Sequence, residues 1–109
     1  MPKNILVVDD EPAVLRGTCR ALRSLGHKIW GAGSVAAALQ LGRDSGPFDA
    51  IVSDYDLGDG TGADVYQAFH APDRFILYTA NRQARVGGAV HIHKPNIIEV
   101  QEQLAFWLG

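Results

Sequence analysis

The sequence has a single cysteine among its 109 residues and lacks long hydrophobic runs. Cys19 cannot form a disulfide within the chain, and a lone cysteine is compatible with the reducing environment of the cytoplasm. The longest apolar runs have the length of one strand, well short of the roughly 18 residues that a membrane-spanning helix needs. The first residues also lack the layout of a secretory signal. We therefore expect a cytoplasmic protein without a membrane segment.

Basic clusters are missing as well. The 10 Lys and Arg residues are outnumbered by 12 Asp and Glu residues, and the net charge is −2. This balance argues against a nucleic-acid-binding surface. Hydrophobic residues make up 47% of the chain, which is enough for one core and too many for a disordered tail. Because no repeat or linker interrupts the sequence, we expect residues 1–109 to form a single domain.

Strand-like and helix-like segments alternate along the chain. Helical spacing of apolar residues follows Pro12, Ser34 and Asn96, three residues that suit a first helical turn or a cap. This alternation predicts an α/β fold in which helices cover both faces of a doubly wound parallel sheet. Short apolar runs mark the five predicted strands: 5–8, 27–32, 48–54, 75–79 and 89–93.

One connection between predicted strands is too short for a helix. Only seven residues, 80–86, lie between the end of the fourth strand and Gly87. A crossover between parallel strands normally needs about ten to twelve residues including its helix. We therefore predict that the fourth helix is missing or reduced to a turn.

Reactive side chains stand at the ends of several predicted strands. Since the carboxyl ends of parallel strands share one edge of the sheet, we expect these side chains to meet there. Three carboxylates at one place repel each other and need a cation, and hard oxygen ligands with room for water and phosphate suit Mg²⁺. The converging residues are Asp9, Asp10, Asp54, Thr79 and Lys94.

Such a group can support phosphoryl transfer. The carboxylate of Asp54 would attack phosphorus, Lys94 and the metal would neutralise phosphate oxygens, and Thr79 would donate a hydrogen bond to one of them. Taken singly, each residue also has an ordinary interpretation. Asp54 could be a loop carboxylate, and Asp9 and Asp10 could cap the first helix. The predicted convergence favours the phosphoryl-transfer hypothesis.

With these residues in place, the chain resembles the receiver domain of two-component response regulators. The likeness covers nearly the whole chain, and its four motifs occur in the expected order: Val7–Glu11, Asp54–Gly62, Tyr78–Ala80 and Lys94-Pro95. It implies a flavodoxin-like sheet with strand order 2-1-3-4-5. It also implies a phosphorylation-controlled signalling domain that assists only its own phosphorylation and dephosphorylation and is otherwise not an enzyme. We expect no attached output domain.

The resemblance also implies a role for each site residue. Asp54 accepts a phosphoryl group from a partner histidine kinase or phosphotransfer protein, and the domain then signals through altered partner binding. Asp10 and Asp54 bind Mg²⁺ directly, together with the backbone carbonyl of Asp56, while Asp9 acts through water. The residues implied to contact the phosphate are Thr79 and Lys94.

Several features depart from the family pattern. Gly58 replaces the proline expected four residues after the acceptor, which predicts a looser loop. Asp56 places an extra acid beside the phosphate, which predicts slower attack by water. His91 occupies the switch position, three residues before the lysine, where Tyr or Phe is usual. The missing helix belongs to the surface through which the family often dimerises, so we expect a monomer.

Three alternatives remain open. His91 and His93 share a predicted strand face and could form part of a zinc site, although two histidines without a third ligand are more often packing or surface residues. The Asp54-x-Asp56 pair resembles the nucleophile motif of haloacid-dehalogenase-like phosphatases, but Gly58 stands where Thr or Val is expected. The last alternative is a receiver-like interaction module that does not depend on phosphorylation.

Overall fold

The computed structural model describes residues 2–109 and shows one five-stranded sheet with helices on both faces. The strands are β1 (Asn4–Val8), β2 (Lys28–Ala32), β3 (Ala50–Ser53), β4 (Phe75–Thr79) and β5 (Val90–His93). The helices are α1 (Pro12–Arg23), α2 (Val35–Ser45), α3 (Gly62–Ala68) and α4 (Ile97–Leu108). The strand order is β2-β1-β3-β4-β5, and all neighbouring pairs are parallel. The predicted flavodoxin-like α/β fold is confirmed.

The central strands β1, β3 and β4 read as continuous apolar runs because both faces of the sheet are covered. Successive residues of a strand point to opposite faces, so each strand feeds two separate cores. In β1, for example, Ile5 and Val7 pack into the core on one face, and Leu6 and Val8 pack into the core on the other. Because all the strands are parallel, their carboxyl ends lie at one edge of this buried sheet.

The helices begin where their sequence signals predict. Ser34 precedes α2, and its side chain accepts a hydrogen bond from the amide of Ala37 at 3.0 Å. Asn96 precedes α4, and its side chain accepts from the amide of Glu99 at 3.2 Å. Both bonds satisfy amides that lack an intrahelical partner. Within residues 2–109, no helix combines the length and the apolar character needed to cross a membrane.

The predicted loss of a helix between β4 and β5 is confirmed. Residues 80–89 form turns, and β5 begins at Val90, one residue later than the apolar run suggests. Two side chains of this segment, Ala84 and Val86, are buried at 6% and 4% exposure and pack into the core beneath it. They cover part of the sheet where a crossover helix would lie, which is why a short connection suffices here.

Candidate functional site

The carboxyl edge of the sheet carries an open pocket of about 420 Å³. It lies where β1, β3, β4 and β5 end, and the predicted convergence of side chains occurs there. Asp54 is the residue after β3, and its backbone amide extends the sheet pairing by donating a hydrogen bond to Val8 O at 2.9 Å. The predicted site residues that line the pocket are Asp10, Asp54, Asp56, Thr79 and Lys94.

Three carboxylates meet beside this pocket. One oxygen each from Asp9, Asp10 and Asp54 can be chosen so that all three lie within 4.8 Å of one another. Asp9 is 2% exposed and Asp54 is 9% exposed, whereas Asp10 is exposed to solvent. Neither Asp9 nor Asp10 is the residue that precedes α1, which is Glu11, but Asp9 Oδ1 accepts from the amide of Glu11 at 3.0 Å. Such a cluster of oxygen ligands suits a divalent cation.

Lys94 neutralises part of this cluster. Its ammonium group donates to Asp9 Oδ2 at 2.6 Å and to Asp54 Oδ2 at 2.9 Å. Burial alone would lower the pKa of Lys94, but the hydrogen bonds and charges of Asp9 and Asp54 outweigh it and raise the pKa above its usual value. Lys94 therefore stays charged and pairs with two carboxylates, although its single positive charge offsets only one negative charge; among residues 2–109, no lysine or arginine pairs with Asp10.

The remaining oxygen of Asp54 is also held in place. Asp54 Oδ1 accepts from the amide of Tyr55 at 2.7 Å, while Oδ2 is bound by Lys94. The two bonds orient the carboxylate at the floor of the pocket. A carboxylate held in this way can act as a nucleophile without first having to be ordered.

Asn81 is a pocket residue that the sequence analysis missed. Its backbone amide donates to Thr79 Oγ1 at 3.1 Å, and its side-chain amide donates to Asp56 Oδ2 at 3.3 Å. The Thr79 hydroxyl is thus oriented by an incoming hydrogen bond and can donate its proton to a ligand. A polar residue two positions after a strand-end threonine is the signal that could have identified Asn81. The effect of Asp56 on attack by water stays a prediction.

The loop after Asp54 has a conformation that fits glycine. Gly58 has φ of 78°, in the left-handed region, whereas proline is restricted to φ near −65°. The amide of Leu57 donates to Gly60 O at 3.1 Å and closes the turn. The glycine in place of proline is therefore matched to this backbone path. The expected looseness of the loop concerns its mobility and stays a prediction.

The two histidines of β5 do not form a zinc site with other residues of the described chain. Among residues 2–109, the group of three possible metal-binding side chains is the aspartate cluster, and it includes neither His91 nor His93. His91 Nε2 accepts a hydrogen bond from the amide of Val86 at 3.0 Å. This hydrogen bond connects β5 to residues 80–89, the segment that stands in place of a helix between β4 and β5. It favours the packing interpretation of His91 over metal binding.

Comparison with known proteins agrees with this geometry. The family profile described as response regulator receiver domain matches residues 5–98. The acid tolerance regulatory protein ActR of Sinorhizobium medicae is 39% identical over 103 residues, covering 85% of this chain and 53% of that protein. The probable transcriptional regulatory protein TcrX of Mycobacterium tuberculosis is 32% identical over 108 residues, covering 90% and 46%. The chain thus spans about half the length of the curated relatives it matches.

A solved structure shows the same fold. The response regulator protein TrrA of Thermotoga maritima, determined in complex with Mg²⁺-BeF, superposes with a TM-score of 0.84 at 29% identity, covering 97% of this chain and 99% of that chain. None of these matches favours the phosphatase alternative. The family profile, the relatives and the shared fold lead to one conclusion: this chain belongs to the receiver domains of two-component response regulators.

Proposed function

We propose that Asp54 accepts a phosphoryl group in a Mg²⁺-dependent reaction, with a histidine kinase or phosphotransfer protein as the donor. The supporting observation is the arrangement around Asp54, whose carboxylate shares a pocket with Asp10, Thr79 and Lys94. These groups supply a nucleophile, a metal ligand, a hydrogen-bond donor and a fixed positive charge. The domain then signals through altered partner binding.

The residues have complementary roles in the transfer step. An oxygen of Asp54 forms a bond to phosphorus while the bond from phosphorus to the donor nitrogen breaks, and the electron pair of that bond returns to the donor imidazole. Lys94 and the Thr79 hydroxyl stabilise the negative charge on the phosphoryl oxygens. Because Lys94 already lies 2.9 Å from Asp54 Oδ2, its charge is in place before the donor arrives.

The aspartate cluster fits Mg²⁺. Asp9, Asp10 and Asp54 offer hard oxygen ligands on one side of an open pocket, and the single positive charge of Lys94, which contacts Asp9 and Asp54, cannot compensate all three. We propose that Asp10, Asp54 and the backbone carbonyl of Asp56 hold the ion, with Asp9 acting through water. When bound, Mg²⁺ would supply positive charge for the phosphoryl oxygens.

Mg²⁺ should stabilise the wild-type domain against heat, because the ion binds the assembled carboxylates of the folded state. A ligand at a hundred times its Kd adds about 2.7 kcal/mol, which in a domain of this size raises the Tm by several degrees. Asp10→Asn removes one of the two negative charges that the single charge of Lys94 leaves uncompensated, so the variant should match or exceed the wild-type Tm without metal and respond little to Mg²⁺. The measurement is thermal unfolding with and without Mg²⁺.

Asp44→Asn is the matched control, because Asp44 is an exposed aspartate of α2 whose carboxylate accepts from Gln40. It should keep the full response to Mg²⁺. An Asp10→Asn variant that is stabilised by Mg²⁺ as much as the wild type would refute the proposed metal ligand.

We also propose that the phosphorylated domain remains a monomer. Residues 80–89 form turns, so the helix that contributes to the usual dimer surface of the family is missing. Sedimentation after treatment with a phosphodonor and Mg²⁺ should show one species at all tested concentrations. A phosphorylation-dependent dimer would contradict this proposal. Phe106→Ser would then test the α4 surface, where Phe106 is 83% exposed.

Two further properties of the domain are its catalytic activity and its location in the cell. We propose that the domain assists only its own phosphorylation and dephosphorylation and does not turn over phosphate esters in general. We propose that it works in the cytoplasm, and the free thiol of Cys19 is compatible with that environment. Hydrolysis of a generic phosphate ester, lost in both Asp54→Asn and Asp56→Asn, would instead support the phosphatase alternative.

A further inference from the structure

Asp59 belongs to the loop that follows the acceptor, but its carboxylate binds a different element. Asp59 Oδ1 accepts from the amide of Val35 at 2.9 Å, and Oδ2 accepts from the amide of Ala36 at 3.0 Å. Val35 and Ala36 are the first two residues of α2. The amides at the start of a helix have no partner within the helix, so Asp59 satisfies two of them from more than 20 residues away.

The sequence of α2 supplies no carboxylate of its own to the amides of Val35 and Ala36. Its first turn contains no acidic residue, and the side chain of Ser34 accepts only from the amide of Ala37. A carboxylate at a helix start is favoured because the partial positive charge there attracts it and because charge-assisted hydrogen bonds are stronger than neutral ones. The amide hydrogen bonds from Val35 and Ala36 lower the pKa of Asp59 below its usual value, although the side chain is exposed. The carboxylate therefore stays ionised near neutral pH.

The same loop borders the metal pocket. A Cβ placed on Gly58 would lie 3.8 Å from Asp10 Oδ2, and a Cβ placed on Gly60 would lie 3.1 Å from Val35 Cγ2. The loop thus lies between the aspartate cluster and the start of α2. On its pocket side it carries Asp56, whose carbonyl is a proposed metal ligand. Because Asp56 and Asp59 belong to the same short loop, the contact of Asp59 with α2 can influence the position of that carbonyl.

We propose that Asp59 is a positioning residue that fastens the acceptor loop to the first two amides of α2, so that occupation of the metal and phosphoryl pocket and order at the start of α2 stabilise each other. This inference rests on the proposed function of the pocket. Coupling between two sites is reciprocal by thermodynamic necessity. Since the helix between β4 and β5 is missing, the start of α2 offers another surface whose order follows the state of the pocket.

The test compares Mg²⁺ affinity in wild type, Asp59→Ala and Asp59→Asn, all confirmed as folded by circular dichroism. Asp59→Ala loses both amide bonds, and we expect its Kd for Mg²⁺ to rise by about fivefold or more. Asp59→Asn keeps one acceptor oxygen, so its Kd should lie between the two. It also serves as the informative variant if Asp59→Ala does not fold.

Ser34→Ala is the matched control, because it loosens the start of α2 by removing the bond to Ala37 but leaves the acceptor loop fastened. Its Kd for Mg²⁺ should equal that of the wild type. Hydrogen exchange gives a second readout: Mg²⁺ with beryllium fluoride should slow exchange of the Val35 and Ala36 amides in wild type but not in Asp59→Ala.

The outcomes separate this inference from the proposed function. Suppose that wild type binds Mg²⁺ and that Asp59→Ala and Asp59→Asn bind it with the same Kd as the wild type. If amide exchange at Val35 and Ala36 is also the same in the variants as in the wild type, the positioning role is wrong while the metal site stands. If Ser34→Ala weakens Mg²⁺ binding as much as Asp59→Ala does, the effect reflects helix fraying, and the positioning role is again wrong. If wild type binds no Mg²⁺, both proposals fail.

Discussion

The Asp54→Asn variant is expected to take up no phosphoryl group from acetyl phosphate and Mg²⁺. Asparagine keeps the size and shape of the side chain, and its oxygen can still accept from Lys94 or Tyr55. An amide is a far weaker nucleophile than a carboxylate, however, so the bond to phosphorus does not form. The loss should be complete because, among residues 2–109, Asp54 is the only carboxylate that both lines the pocket and is bound by Lys94. Intact-protein mass spectrometry with mapping of the modified residue measures it.

The control for this experiment is the same substitution away from the pocket. Asp49→Asn alters a carboxylate that accepts from the amide of Asn4 at 2.8 Å, near the opposite edge of the sheet. It should be phosphorylated like the wild type. A phosphoryl group that maps to any residue other than Asp54, or persists in Asp54→Asn, would overturn the acceptor assignment.

Lys94→Met is expected to cause the largest loss of stability among the pocket variants. Methionine has a similar length but no charge, so Asp9 and Asp54 lose the ammonium group that bonds both of them. Removing one partner of a buried charge pair typically costs about 3–5 kcal/mol, because the remaining charges are left without compensation. Urea unfolding without metal measures this loss. Mg²⁺ should restore part of it, because the ion supplies positive charge to the same carboxylates.

The pH dependence of the wild type offers an independent check of this interaction. The pKa of Lys94 is raised in the folded state, so its contribution to stability is complete below the unfolded pKa of about 10.4. That contribution is lost as pH rises through the higher folded pKa. The stability difference between wild type and Lys94→Met should therefore be constant near neutral pH and shrink in strongly alkaline solution.

Lys28→Met is the control for the loss of a lysine as such. Lys28 is exposed on β2, and its ammonium group lies 5.3 Å from the centre of the Trp30 ring. Substitution at such an exposed site usually changes stability by less than about 0.5 kcal/mol. Equal destabilisation by Lys28→Met and Lys94→Met would mean that the two short bonds of Lys94 contribute little.

Much of this architecture could be predicted from local patterns. Continuous apolar runs identified the buried strands, and the cap residues Ser34 and Asn96 marked the starts of α2 and α4. The count of residues between Thr79 and Gly87 was enough to predict the missing helix. Because parallel strands end at one edge, the meeting of Asp9, Asp10, Asp54, Thr79 and Lys94 also followed from their order in the chain.

Other features depend on loop conformation and had no periodic signal. Asn81 reaches Asp56 only because the segment after β4 turns back over the pocket. His91 is held by Val86 because that segment packs on β5 instead of forming a helix. Asp59 was part of a glycine-rich loop in the sequence, and nothing in its spacing indicated that it binds α2.

The sequence by itself determined the strands, the helix starts and the set of residues at the carboxyl edge, because apolar periodicity and capping act over a few neighbouring residues. Tertiary structure alone decided which two of the three carboxylates Lys94 pairs with, which amides Asp59 binds and which side chains close the gap left by the missing helix. The physical reason is that these contacts form between residues far apart in the sequence, and the conformation of the loops decides which of those residues meet. A single left-handed residue such as Gly58 sets that path, and it changes the direction of the chain without altering its pattern of apolar residues.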